Sequence, residues 1–283
     1  MQVISEPQEI RSICSDLRSK GQKIALVPTM GYYHEGHLRL MQWARENAEQ
    51  VVVSLFVNPT QFAPGEDFED YPRDMERDKK LAREQGVDLL FAPSVEEMYS
   101  PDHATWVQVP GLSNVLCARS RPNHFQGVCT VVCKLLNLVR PNLAVFGQKD
   151  WQQLAIIKRM VRDLNMGVEI FGRPIVRDSD GLALSSRNAY LNAEERQEAA
   201  MLYAGLQQAL QWYLEGEQDA QKLKKNLSHW YAENIPSGRL DYLELVDPES
   251  LKPVHSLRED NALLAVALFL GRARLIDNIL LEI

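Results

Sequence analysis

The chain has 283 residues, 45% of them hydrophobic and 24% charged, with a formal net charge of -7. That balance belongs to a folded globular protein with a well-filled core and excludes a disordered or fibrous chain. The acidic charge is spread without a long basic run, which leaves out the electrostatic footprint that a nucleic-acid partner demands.

The length suits two ordinary domains. Cys14, Cys117, Cys129 and Cys133 lack paired CxxC spacing and are read as reduced thiols packed as small apolar groups. The first residues, "MQVISEPQEIRSIC", lack the basic start and apolar core of a secretory leader. No stretch approaches the roughly 18 apolar residues of a membrane span. The expectation is a cytoplasmic protein with no membrane partner.

In chain order, "IALVP" at 24–28 and "VVVSLFV" at 51–57 are short apolar runs rich in β-branched residues, as strands covered on both faces are. Between them Leu38, Met41, Trp43 and Ala44 recur at helical spacing. The alternation continues through a charged helical pattern at 72–85, "DLLFAP" at 88–93, a helix over 124–139, "LAVFG" at 143–147, a helix from Trp151 to about Leu164, and "VEIFGRPIV". Repeated strand and helix alternation predicts an α/β, doubly wound parallel sheet of Rossmann-like type.

Beyond that the pattern changes. Two helices follow, the first beginning near Asn192 with Glu194 and Glu195 in its first turn, and then three strand-like runs, "LDYLELVD", "ALLAVALFL" and "ARLIDNILLEI". They predict a smaller α+β domain, with domains at 1–176 and 177–283 and the boundary in a segment rich in turn formers.

In an open parallel sheet, ligands bind outside the carboxyl ends of the strands, where loops feed helix N-termini. "VPTMGYYHEGHL" at 27–38 falls there. Gly31 and Gly36 relax the backbone, and the helix starting near Gly36 turns unpaired N–H groups toward the loop, a setting for an anion. His34 and His37, three apart, can both donate hydrogen bonds to phosphate oxygens. The same pair alone also suits a helix surface or a fragment of a zinc site, which needs at least a third ligand, His103 and His124 being candidates.

"GQKDWQQL" at 147–154 sets Lys149 at the same sheet edge, with Asp150 and Gln153 at the next helix start. A lysine there suits phosphate as a compact charge, although a solvated surface lysine is the plain alternative. "LSSRN" at 184–188 adds two hydroxyls and a guanidinium, or simply a capping turn. "VNPTQF" at 57–62 places the amides of Asn58 and Gln61 where a small polar substrate could meet them, or forms an Asn-Pro turn.

Taken in order, "PTMGYYHEGHL", "SLFVNPTQF", "YPRD", "HFQGVCTVVCKLLNLVRPNLAVFGQKDWQQL" and "RDSDGLALSSRNAYL" resemble the pantothenate synthetases, or pantoate-β-alanine ligases, over nearly the whole chain. That family belongs to the nucleotidyltransferases with HIGH-type and KMSKS-type signatures, for which "HEGH" and "LSSR" stand in this sequence. The resemblance implies ATP-dependent activation of (R)-pantoate as pantoyl adenylate with release of pyrophosphate, then displacement of AMP by β-alanine.

By that resemblance His37 is the proton donor, and His34, Lys149 and Arg187 join it in stabilising charge. Met30, Gly31, Tyr32, Tyr33, His34, Glu35, Gly36 and His37 carry ATP contacts, as do Gly147, Gln148, Lys149, Asp150, Val176, Leu184, Ser185, Ser186 and Arg187. Gln61 contacts pantoate and β-alanine, and Gln153 contacts pantoate; Asn58 completes the substrate group. Mg²⁺ bridging the phosphates is expected, with Asp78 as its protein ligand. A homodimer is implied, as is closure of "DSDGLALSSRN" and the second domain over ATP, which keeps water from the adenylate. No base for the β-alanine step stands out.

Two positions depart from the family pattern: Tyr32 and Tyr33 stand where smaller or apolar residues are expected, and Arg77 where an acidic neighbour of Asp78 is common. The rival readings are another nucleotidyl-transferring enzyme, for which low basicity disfavours the tRNA-charging version, and a nucleotide-binding sensor without turnover.

Overall fold

The computed structural model describes residues 1–257 and 261–282. Apolar β-branched runs form the parallel strands, and amphipathic segments between them form the crossovers. The elements are β1 (Gln2–Ile4), α1 (Pro7–Ser19), β2 (Ile24–Thr29), α2 (Glu35–Asn47), β3 (Gln50–Leu55), α3 (Met75–Glu84), β4 (Leu89–Phe91), α4 (Val95–Met98), α5 (His124–Val139), β5 (Leu143–Gly147), α6 (Trp151–Asp163) and β6 (Glu169–Arg173). There follow α7 (Ala193–Leu214), α8 (Ala220–Asn234), β7 (Arg239–Val246), β8 (Ala262–Leu270) and β9 (Ala273–Leu281).

The chain divides into two compact units. The first holds residues 1–113, 121–148 and 156–174; the second holds 114–120, 149–155 and 175–283. The second unit thus begins at Ile175, beside the expected boundary, but also takes in two short stretches from earlier in the chain.

In the first unit six parallel strands run in the order β1-β4-β3-β2-β5-β6. Ile24 to Thr29 of β2 lie opposite Gln50 to Leu55 of β3, and Ala25 and Leu26 opposite Leu143 and Ala144 of β5. The chain leaves β2 on one side toward β3 and returns on the other at β5, so the order reverses between β2 and β5. At such a switch point the loops after the two strands diverge and open a crevice. Helices α1 and α5 pack together, as do α2 and α3. Val27, Met41, Val51, Val53 and Val145 are fully buried in the core.

The expected elements recur with short differences that have local causes. The sixth strand ends at Arg173, before Pro174, which has no N–H to give a ladder. Helix α3 starts at Met75, where Asp74 caps it by accepting from the Arg77 amide at 3.1 Å. Three elements were not expected: the three-residue edge strand β1 and the single-turn helix α4, both too short to show a pattern, and α1, which carries Pro7 at its start and buries Ile10 and Cys14 one turn apart.

The second unit contains an antiparallel sheet, β7-β8-β9, packed against α7 and α8 through Leu202, Leu206, Leu223, Leu227, Leu264 and Val266. Helix α7 opens with a reciprocal capping box between Asn192 and Glu195. Together the two sheets bear out the α/β architecture with a smaller α+β partner.

The four cysteines are unbridged. Burial pushes the Cys14 thiol up to about 11 and the Cys129 thiol to about 12, which keeps both protonated and inert. Among the described residues no helix is long and apolar enough to cross a membrane.

Candidate active site

The loop from β2 to α2 is bent by two successive left-handed residues, Gly31 (φ 87°) and Tyr32 (φ 52°). It then enters α2 through His34, the N-cap residue. Nδ1 of His34 accepts from the Gly36 amide at 3.2 Å, and Nδ1 of His37 accepts from the His34 amide at 3.3 Å. The two imidazoles thereby form a reciprocal capping box in the positions that Ser and Glu fill elsewhere. Their ring centroids lie 4.1 Å apart. A ring nitrogen that accepts an N–H bears no proton, so both neutral rings carry their hydrogen on Nε2. The box therefore fixes which nitrogen of each ring is the donor.

The loop's other anchor comes from α3. Asp78, 1% exposed, accepts the Tyr32 amide at 2.6 Å and the Tyr33 amide at 2.8 Å. Burial raises its carboxyl above the usual range, and the two amides only partly offset that. Both oxygens are committed to the backbone. A carboxylate so engaged does not fit the role of metal ligand, and among the described residues no group of three or more His, Cys, Asp or Glu gathers as a metal centre. Of the zinc candidates, His124 meets the Gln61 carbonyl oxygen through Nδ1 at 2.8 Å, and His103 packs edge-on against Tyr99 and Trp106.

Beyond β3, residues 59–61 form a single 3-10 turn capped by Asn58, whose side chain accepts from the Thr60 amide at 3.4 Å. Asn58 is 1% exposed, and its amide is spent on the protein. Its nitrogen donates to the Gly127 carbonyl at 3.1 Å and to Oε1 of Gln61 at 3.2 Å; its oxygen accepts from Tyr99 at 3.0 Å and Thr60 at 2.9 Å. Asn58 does not fit a direct substrate contact; it orients Gln61. With Oε1 of Gln61 held by Asn58, the opposite end of that amide, Nε2, points to the sulfur of Met30 at 2.9 Å. Met30, from the β2 loop, and Gln61, from the β3 loop, are thus brought together.

Gly127 makes the arrangement possible, because a Cβ there would lie 2.5 Å from the Thr60 carbonyl oxygen and 2.7 Å from the Gln61 nitrogen. Arg121 reinforces it by pairing with both oxygens of Glu66 at 2.8 and 2.7 Å and reaching the Gln61 carbonyl at 3.3 Å. Burial works against ionisation of Glu66, but Arg121 outweighs it and holds the carboxyl below its usual range. Tyr99, Arg121 and Gly127 were not singled out from the sequence; the "RPNHFQG" run carries the last two at the start of α5, yet nothing in its spacing points to Gln61.

Gly147 ends β5, which neighbours β2 at the switch point, and Gln148 opens the 3-10 turn that follows. The remaining expected residues belong to the second unit. There the Lys149 carbonyl accepts from Asn278 at 3.0 Å, and Asp150 is exposed. Gln153 is half-buried in α6, beside Gln152, whose amide is engaged by the backbone of Val115 and Cys117. Val176 accepts from the Leu184 amide at 2.9 Å, closing a small loop. Ser185 caps the next 3-10 turn through the Arg187 amide at 3.3 Å, and Ser186 is buried. The second unit thus places Val176 beside Leu184 and carries Ser185 to Arg187 onward as one structured turn.

This geometry can hold an anion at a helix start between paired N–H donors, and can present a fixed amide to a small polar molecule. Known proteins resemble the chain along its whole length. The family model described as pantoate-beta-alanine ligase matches residues 2–280. A pantothenate synthetase of Maridesulfovibrio salexigens is 56% identical over 283 residues, covering 100% of both chains. The crystal structure of the pantothenate synthetase from Thermus thermophilus is 47% identical with a TM-score of 0.91, covering 99% of each chain. A pantoate-β-alanine ligase from Francisella tularensis, solved with β-γ ATP and β-alanine, is 32% identical with a TM-score of 0.81, covering 100% of this chain and 98% of its own. With this likeness along its whole length, the chain belongs to the pantoate-β-alanine ligases, the pantothenate synthetase family.

Proposed function

We propose that this chain joins (R)-pantoate to β-alanine in two steps through pantoyl adenylate. A carboxylate is a poor acyl donor because its leaving group would be oxide. Attack of the pantoate carboxylate oxygen on the α-phosphorus of ATP forms a P–O bond and expels pyrophosphate, leaving a mixed anhydride. The β-alanine nitrogen then attacks the acyl carbon, the C–O bond to AMP breaks, and the amine proton passes to solvent or to a phosphate oxygen.

The observation that carries this reading is the capped imidazole pair. Two Nε2–H donors at the positive end of α2 suit the charge that grows on departing pyrophosphate. Lys149 and Arg187, with Ser185 and Ser186, have the charge and donor chemistry for phosphate and are assigned to ATP by family likeness. Gln61, held by Asn58, offers its amide to the pantoate hydroxyl and carboxylate, and Gln153 is the second pantoate contact. Magnesium would be held by the nucleotide's own phosphate oxygens, since Asp78 is otherwise engaged. A homodimer in the cytoplasm completes the proposal, and sedimentation equilibrium of the purified chain tests the dimer.

The decisive experiment measures AMP formation from ATP with pantoate alone, with β-alanine alone, and with both. Steady turnover is expected only in the full mixture. Steady turnover without pantoate, or none with both, would refute the proposal.

A further inference from the structure

We infer that Asp78 is a positioning residue: its buried carboxylate, reaching from α3, sets the β2–α2 loop and through it the ring positions and tautomers of His34 and His37. Successive backbone N–H groups in a left-handed bend form a concave cradle that draws an anion. Here the anion is part of the protein: the amides of Tyr32 and Tyr33 converge on the two oxygens of one side chain.

The fit is close from both sides. A Cβ on Gly31 would stand 2.9 Å from Oδ2 of Asp78 and 3.2 Å from the Leu55 side chain. The next residue, Tyr32, holds φ at 52° without being glycine, a conformation that persists only where its surroundings impose it. Tyr33 follows with its side chain wholly buried, its hydroxyl accepting at 3.4 Å from Thr29, which leaves it no freedom to shift the register. One residue later the capping box begins. Because the His34 amide donates to His37 and the Gly36 amide to His34, any displacement of the backbone at 32–33 moves the donors that dictate both tautomers.

The outer surface of α3 has no such role, for Arg77 only approaches the same carboxylate at 3.9 Å while its guanidinium lies over the Tyr32 ring at 5.3 Å. The inference concerns histidine geometry, and its consequence for turnover rests on the function proposed above.

The test uses the full chain with Asp78→Asn, which keeps the shape but sets an amide N–H against a backbone N–H. The readouts are the side-chain ¹⁵N resonances of the histidines and the kinetics of AMP formation. In the parent, His34 and His37 should both show the Nε2–H tautomer. In the variant those two sets of signals should shift or mix, with kcat down about 10²-fold, KM for ATP within about threefold, and the Asp78→Asn, His37→Ala double variant no slower than His37→Ala alone. Gly31→Ala, which presses on the same contact from the loop side, should reproduce the resonance changes and carries the test if Asp78→Asn does not fold. Unchanged histidine resonances in a folded variant, or losses that multiply in the double variant, would overturn the inference. Shifted resonances with undiminished kcat would uphold the positioning and refute the catalytic role of the pair.

Discussion

The loops at the carboxyl ends of β2 and β3 and the segment from Arg177 to Arg196 are both candidate phosphate or substrate regions, but they are held by different forces. In the first, the contacts are short-range and largely buried: imidazole to amide, carboxylate to amide, amide to amide. In the second, guanidinium groups do the work. Arg177 pairs with both oxygens of Asp277 at 2.6 and 2.8 Å and lies 3.6 Å over the Tyr203 ring, while Arg196 bridges Asp178 and Asp180 at 2.8 and 2.6 Å. Directional bonds in a buried setting fix orientation; partly exposed ion pairs fix position loosely and answer to salt and pH. The difference teaches that His34, His37 and Gln61 are oriented by directional bonds, whereas Ser185, Ser186 and Arg187 sit in a segment anchored by ion pairs.

The largest effect should come from the Arg177–Asp277 pair, whose carboxylate is buried although its guanidinium is partly exposed. Asp277 is 2% exposed, so Arg177→Ala strands its charge and should lower stability by about 3–5 kcal/mol, read by urea unfolding. A loss under 1 kcal/mol would erase the contrast between the buried and exposed pairs. Next, His37→Ala should cut AMP-forming turnover by about 10²–10³-fold while the circular dichroism of the chain is kept. Near-normal turnover would remove the histidine from the chemistry.

A smaller effect is expected for Tyr99→Phe, which takes one donor from Asn58 and should reduce stability by about 0.5–1.5 kcal/mol, with a rise in the KM for pantoate as Gln61 loosens. If KM stays constant while stability falls, Asn58 holds the fold but not the amide of Gln61. Smallest of all is Arg196→Ala, within about 1 kcal/mol and vanishing in high salt, as exposed pairs do. Its sign with pH is set by Asp180, whose carboxyl the Arg196 hydrogen bonds hold below the usual range. A folded-state pKa below the unfolded one gives stability that is present above the ordinary carboxylate range and lost as pH falls through the lowered value. The parent should therefore lose more stability than the variant on acidification, and parallel pH curves would deny Asp180 that part.

Much of the fold was legible because period and length do not depend on distant contacts. Helix α5 and strand β5 lie where the run "HFQGVCTVVCKLLNLV" and "LAVFG" place them, the first rich in apolar residues over a helix's length and the second a short apolar run. Strand β1 was not legible, since three residues at a sheet edge show no alternation. For the site, the sequence supplied residue types but not which way they face. Asp78 has the chemistry of a metal ligand, yet it shares the inward stripe of α3 with Ala82, and that one-turn spacing was the available sign that its carboxylate serves the interior. Asn58 and Gln61 are both amides three residues apart, and only the carbonyl of Gly127 and the hydroxyl of Tyr99 decide which supports and which is supported. The expected metal ligand and substrate amide both became scaffolding for neighbours, because burial consumed their polar atoms.

The histidine cap also bears on poisoning by transition metals. A zinc or nickel ion binding at Nε2 would require each ring to move its hydrogen to Nδ1, where it would collide with the amide hydrogen already pointing there. Coordination of both rings would therefore cost the two hydrogen bonds that cap the first turn of α2.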